Sequence, residues 1–110
     1  MRTSPHRREK IVDVISRAAA EFIQKESNRN SMITVTNIGL TDDFQKAIVF
    51  VTVFPEDQEQ VAIDFLHRKL REFRNFIKKE TRLQNIPWFD FQIDGGEKKR
   101  QRIDEISKSI

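Results

Sequence analysis

The feature that most constrains this chain is a strand pattern followed, after a proline, by a long helical pattern and then another strand pattern. Ala47–Phe54 is a near-continuous apolar run, which predicts a central strand with both faces covered. Pro55 ends this strand because proline has no N–H for a sheet ladder. The helical pattern runs from about Asp57 to Leu83, and Trp88–Ile93 alternates as a strand does. Because a helical crossover joins the last two strands, we expect a parallel pair in the sheet.

The other segments complete an α+β domain. Ser4 and Pro5 predict the N-cap and first position of an opening helix. Met32–Ile38 predicts a strand between a polar loop at residues 27–31 and a turn at residues 39–44. The apolar stripes of the two helices predict the core; they are Ile11, Ile15, Ala18, Ala19, Phe22 and Ile23 in the first, and Ala62, Leu66, Leu70, Phe73 and Ile77 in the second. We expect a three-stranded mixed sheet with its helices packed on one face.

The domain is expected to span residues 1–94. After a turn at Asp94–Gly96, residues 95–110 are expected to form a short helix, with Gln101–Ile110 as the candidate, or a partly disordered tail. The chain has 110 residues and no cysteine, which excludes disulfides and cysteine-based zinc sites. Neither a signal peptide nor an apolar run of about 20 residues is visible, so we expect a soluble cytoplasmic protein with no membrane partner.

Catalytic chemistry finds no support in the sequence. Asp64 lies at helical spacing from His67, and an isolated pair of this kind is more often a surface contact than a site. Asp43 lies in a predicted turn, where an aspartate caps the backbone. Trp88 is a candidate for base stacking, but a core or edge-packing role is favoured, and the strand residues Phe50, Phe54, Phe89 and Phe91 are assigned to the core. We expect no enzyme activity, cofactor, metal or small-molecule substrate.

Charge is distributed unevenly, although the net charge is only +3. Residues 66–83 carry seven basic residues against two acidic ones, whereas residues 30–64 carry one basic against six acidic. A solvated helix face usually mixes both signs, so this basic helix indicates a surface that follows a phosphate backbone. The candidate RNA-binding residues are Arg68, Arg71, Arg74, Lys78, Lys79 and Arg82, with Arg7, Arg8 and Lys10 as a second contact.

Two alternatives use the same charges differently. A protein–protein adaptor would pair its acidic and basic patches with a partner, without ribosome binding. An enzyme acting on RNA would need a general base or metal site, which the sequence does not offer.

Several motifs together resemble the ribosome-binding factor A family. Val35–Ile38 leads into Thr41–Val51, which resembles the family's strand–turn–strand core, and Phe73-Arg74 matches an apolar-Arg step in its long helix. Leu83–Asp94 is similar to the family's Leu-Arg-x-x-Pro-x-Leu-x-Phe-x-x-Asp, and Arg102-Ile103 to its closing step. The chain has Gln84 in place of the family's arginine. It also has Lys69-Leu70-Arg71 in place of an Ala-x-Gly kink, which leaves the shape of the long helix open.

The resemblance implies a KH-like fold of type II and a role in ribosome biogenesis. Members of the family bind the immature small (30S) ribosomal subunit, assist 16S rRNA processing and late maturation, and leave before translation. The implied partner is therefore the small subunit and its rRNA, bound by a monomer. The G-x-x-G clamp of ordinary KH domains is absent, which favours contact with the backbone of folded RNA.

Overall fold

The structure, a computed structural model, describes residues 6–27 and 30–96. The predicted helix start at Ser4-Pro5, part of the 27–31 loop and the predicted last helix at Gln101–Ile110 lie outside the described residues. The elements are α1 (Arg7–Glu26), β1 (Met32–Leu40), β2 (Lys46–Phe54), a 3₁₀ turn (Glu56–Gln58), α2 (Glu59–Arg68), α3 (Leu70–Glu80) and β3 (Trp88–Ile93).

The three strands form one mixed sheet in the order β1-β2-β3. β1 and β2 are antiparallel, with Leu40 opposite Ala47 and Met32 opposite Phe54, and a bulge interrupts their register at Thr36. β2 and β3 are parallel, with Lys46 opposite Trp88. The central position of β2 and the parallel pairing across the helical crossover are confirmed.

The prediction that both faces of β2 are covered is wrong. Alternate residues from Ala47 to Val53 are buried, but Ile48 and Phe50 on the other face are half-buried and Thr52 is exposed. All the helices within residues 6–27 and 30–96 pack on the first face, so none of them covers the second, which we call the open face. The apolar side chains on the open face make β2 look more buried in sequence than it is.

One core lies between the sheet and the helices, and the predicted helical stripes supply it. Apart from the half-buried Ile11 and Leu70, every stripe residue is buried. Phe73 is fully buried at the centre, with ring centroids 5.2 Å from Phe22, 4.8 Å from Phe89 and 5.2 Å from Phe91. Phe54, assigned to the core from sequence, is 74% exposed because it ends β2 on the open face.

The single long helix predicted for residues 57–83 is two helices. Lys69 separates them with φ −98° and ψ 7°, outside the helical well, and its N–H bonds back to the carbonyl of Leu66. α3 then starts with the bond from the Phe73 N–H to the Lys69 carbonyl and ends at Glu80. The interruption falls in the segment Lys69-Leu70-Arg71, whose shape the sequence left open.

Candidate nucleic-acid interface

Eight of the nine predicted cations fall into two groups, and the first lies along α2 and α3. Arg71, Arg74 and Lys78 are spaced by three and four residues, so they share one side of α3 opposite the buried Phe73 and Ile77. Arg68 ends α2 on the far side of the break, and Lys79 is turned by one residue to another side of α3. Arg68, Arg71, Lys78 and Lys79 are exposed.

The second group surrounds a groove that the structure forms from three distant segments. Arg7 and Lys10 reach it from the first turns of α1, Phe44 from the turn between β1 and β2, and Arg82 from the segment that joins α3 to β3. The groove has a volume of about 890 Å³. Arg82, which we predicted as part of the helical row, thus lies beyond the end of α3 and joins the N-terminal cations.

Arg8 binds the end of a strand rather than the groove. Its guanidinium donates to the carbonyls of Leu40 and Thr41 and lies 3.9 Å from the Asp42 carboxylate. Arg7 lies over the Phe44 ring, 4.8 Å from its centroid, which holds that guanidinium at the groove. Arg8 also lies over this ring, at 5.6 Å from its centroid, so the two neighbouring arginines share Phe44 and differ in that only Arg8 bonds the end of β1.

Arg74 is also engaged with the protein. It donates to the carbonyls of Ile86 (3.1 Å) and Pro87 (3.4 Å), and its guanidinium lies 4.1 Å from the centroid of the Trp88 ring. Trp88 is 66% exposed, so the core role is wrong for this residue. Its place at the start of the edge strand β3, against Arg74, agrees with the edge-packing role that the sequence also favoured. The signal was present in the sequence, because Phe89 and Phe91 point into the core and strand alternation then turns Trp88 outward.

The remaining cations have no carboxylate partner within the part of the chain that the structure describes. Within the described residues, no carboxylate lies in ion-pair distance of the following side chains: Lys10, Arg68, Arg71, Lys78, Lys79 and Arg82. Lys69 differs, because its ammonium lies 3.1 Å from Glu72 and 3.5 Å from Glu26, and the hydrogen bond to Glu72 raises the pKa of Lys69. The basic segment therefore contains one structural lysine among cations that are available to a ligand.

Asp43 is the one acidic residue among those that line the groove. Its carboxylate accepts hydrogen bonds from the Thr41 hydroxyl (2.8 Å) and the Gln45 N–H (3.1 Å), which lower the pKa of Asp43. The predicted capping role is confirmed. Phe44, between these partners, takes a positive φ of 62°, and this tight turn brings its ring to the groove.

The histidines make local contacts. His67 donates from Nε2 to the Phe91 carbonyl (2.8 Å) and lies 3.3 Å from Asp90, whereas its predicted companion Asp64 accepts a bond from Gln60. His6 lies 2.9 Å from Glu9, a pair at a spacing of three that the sequence analysis missed. The part of the chain that the structure describes holds no group of three or more metal-ligating side chains. None of its helices is long and apolar enough to cross a membrane.

Comparison with known proteins decides the family. The family model described as ribosome-binding factor A matches residues 7–107. The chain belongs to the ribosome-binding factor A family. It is 34% identical to ribosome-binding factor A of Thermodesulfovibrio yellowstonii over 82 residues, 74% of this chain and 70% of that protein. It is also 34% identical to the Polynucleobacter necessarius protein over 95 residues, 84% of this chain and 77% of that one.

Solved structures of ribosome-binding factor A have the same fold. The crystal structure of the Thermus thermophilus protein superposes with a TM-score of 0.69 at 26% identity, covering 77% of this chain and 92% of that one. A Thermus thermophilus homology model, fitted into a cryo-EM map of a 30S complex, superposes with a TM-score of 0.62 at 26% identity, covering 72% and 86%. The α+β, KH-like type II fold with a three-stranded mixed sheet is thus confirmed.

Proposed function

We propose that this protein binds the immature small (30S) ribosomal subunit and assists 16S rRNA processing and late maturation as a cytoplasmic, monomeric, non-catalytic factor. The observation that carries the proposal is the set of cations on α3 and around the groove that lack carboxylate partners among the described residues. Family membership supplies the class of ligand, and a homology model of the Thermus thermophilus relative has been fitted into a cryo-EM map of a 30S complex.

Each cation has a role that follows from its setting. Arg71 and Lys78 are exposed on one side of α3, and they contact successive phosphates of the rRNA backbone. Arg68 and Lys79 extend this contact on either side. Arg7, Lys10 and Arg82 form a second phosphate contact at the groove.

The two engaged arginines act differently. Arg8 holds the end of β1, and Arg74 holds the segment before β3 through two carbonyls. Both arginines therefore shape the surface. Only the guanidinium N–H groups that do not bond these carbonyls are available to phosphates.

The binding test is the affinity for purified small subunits at a fixed, moderate salt concentration. Arg71→Glu combined with Lys78→Glu reverses two charges on α3, and we expect affinity to fall at least about tenfold because two phosphate contacts become repulsions. The matched control is Arg17→Glu combined with Lys25→Glu on α1, which changes the net charge equally; these residues pair with Asp13 and Glu21. Unchanged affinity in the α3 variant, or an equal loss in both, would contradict the proposed contact.

Assistance in maturation needs a test of its own. Cells that lack the protein are expected to accumulate unprocessed 16S rRNA and free subunits, and the wild-type gene restores the normal profile. The α3 variant restores it poorly and the α1 control restores it fully. A normal rRNA profile in the deletion strain would leave binding intact as a function but remove the role in processing.

A further inference from the structure

The indole of Trp88 lies between two openings of the surface. On one side is the groove lined by Arg7, Lys10 and Arg82, and on the other a shallower hollow formed by the turn between β1 and β2 and by Lys46. Arg74 covers one face of the ring at 4.1 Å, yet Trp88 remains 66% exposed. Much of the ring that Arg74 does not cover is therefore open to a ligand.

Although the Trp88 side chain is exposed, the groups around its ring hold it in place. The backbone N–H of Trp88 donates to the Gln45 carbonyl, and Pro87 before it is fully buried. Arg74 is itself fixed by the carbonyls of Ile86 and Pro87. An aromatic face that is already fixed loses little conformational freedom when a planar ligand stacks on it.

The groove beside the ring favours an anion. Three of its side chains are cationic, and the carboxylate of its single acidic residue, Asp43, is already bonded to Thr41 and Gln45. Proteins hold single-stranded nucleic acid by combining an aromatic face for base stacking with cations for phosphate contacts. Among the described residues no carboxylate pairs with Arg7, Lys10 or Arg82, so the groove beside Trp88 offers this combination. Inside a duplex each base is already stacked on its neighbours and has no free face, so a duplex can use the cations but not the indole.

We propose that Trp88 and this groove form a site for one unpaired nucleotide of RNA, with its base stacked on the indole and its phosphate directed to Arg7, Lys10 and Arg82. The site rests on the proposed function, since it adds a single-stranded contact to the backbone contact of α3. An unpaired rRNA nucleotide bound here would fix the protein at one place on the rRNA. Contacts with the backbone of a regular duplex alone would not distinguish that place from others. An acidic peptide is the competing occupant, and it would use the cations without needing a base.

Trp88 is the only tryptophan, and the chain has no tyrosine, so its fluorescence reports on this site alone. The full-length protein is titrated with a short single-stranded oligoadenylate, an RNA duplex, inorganic polyphosphate and an oligoglutamate. We expect quenching by the single strand, and little by the other three at equal charge concentration. Equal quenching by polyphosphate or oligoglutamate, or no quenching by the single strand, would overturn the proposal.

Substitution gives a second measurement that does not depend on the fluorophore. Binding of dye-labelled oligoadenylate is followed by anisotropy for Trp88→Leu, Trp88→Phe and the control Phe54→Leu, with folding checked by circular dichroism. Phe54 is an equally exposed aromatic residue at the other end of β2. We expect affinity to fall roughly fivefold or more in Trp88→Leu, to be largely retained in Trp88→Phe, and to be unchanged in the control. Unchanged affinity in Trp88→Leu would overturn the site.

The two proposals can fail separately. If oligoadenylate does not quench Trp88 and Trp88→Leu binds it normally, but the wild-type protein still binds small subunits, the nucleotide site is wrong and the proposed function stands. If oligoadenylate quenches Trp88 but small subunits do not bind, the proposed function is wrong and the nucleotide site stands.

Discussion

The ammonium of Lys69 lies 3.5 Å from the carboxylate of Glu26, the last residue of α1. The same ammonium lies 3.1 Å from Glu72 in the first turn of α3, and 5.7 Å from the centroid of the Phe65 ring in α2. One side chain at the break therefore touches all three helices. These contacts tie the three helices together at the break, next to the start of α3 and its row of cations.

Lys69→Ala is expected to lower the melting temperature by a few degrees at most, because its ion pairs are partly exposed and screened by salt. Glu26→Ala should lower it by less. The double variant should show less than the sum of the two effects, since both remove the same pair. Thermal unfolding at low and high salt measures this, with Lys79→Ala as the control for loss of an exposed lysine. Additive effects that do not depend on salt would exclude the pair as a support of the break.

Phe73→Ala should cost about 3–5 kcal/mol, because it removes a fully buried ring that contacts three other rings. That loss is a large part of the roughly 5–15 kcal/mol that stabilises a typical domain. Phe54→Ala removes the same side chain from a position that is 74% exposed, and should change the free energy of unfolding by no more than about 0.5 kcal/mol. Urea unfolding compares the two. Similar losses in both variants would mean that the core is not centred on Phe73.

The helices and strands were predictable where a periodic pattern reports directly on burial. The stripes of α1, α2 and α3 and the alternation in β3 place residues such as Ile15, Leu66 and Phe91 in the core without any tertiary information. The open face of the sheet was not predictable in this way. Ile48 and Phe50 are apolar on a face that none of the described helices covers, and hydrophobicity alone does not show which face a helix will take.

The break at Lys69 and the groove required the tertiary structure. No glycine or proline marks the break, and the contacts that accompany it come from Glu26, 43 positions away in sequence. Arg82 and Arg7 meet at the groove from opposite ends of the domain. From charge alone, the sequence identified both arginines as candidate RNA contacts. It did not show that they lie together or that Trp88 lies beside them.

Asp43→Asn should destabilise the protein at neutral pH, because the ionised carboxylate accepts two hydrogen bonds in the turn. The pKa of Asp43 is lower in the folded protein than its ordinary 3.8, so its contribution is full above pH 3.8. The contribution is then lost as the pH falls further, through the folded pKa. The melting temperatures of the two proteins should therefore converge in acid. Asp42→Asn removes the same charge from the same turn but neither bond, and it should show no such convergence; a constant difference for Asp43→Asn from pH 7 to pH 2 would contradict the assignment.

The salt dependence of subunit binding distinguishes phosphate contacts from a general effect of charge. Each phosphate neutralised by a cation adds about 0.7–0.9 to the slope of log K against log salt concentration, because a bound counterion is released. Replacing Arg71 and Lys78 with glutamine removes two such contacts and should reduce that slope by roughly 1.4–1.8. Replacing Arg17 and Lys25 with glutamine changes the net charge equally but leaves α3 intact, so its slope should match that of the wild-type protein. Equal slopes of log K against log salt concentration for all three proteins would show that α3 does not contact the phosphate backbone, even if the affinities differ.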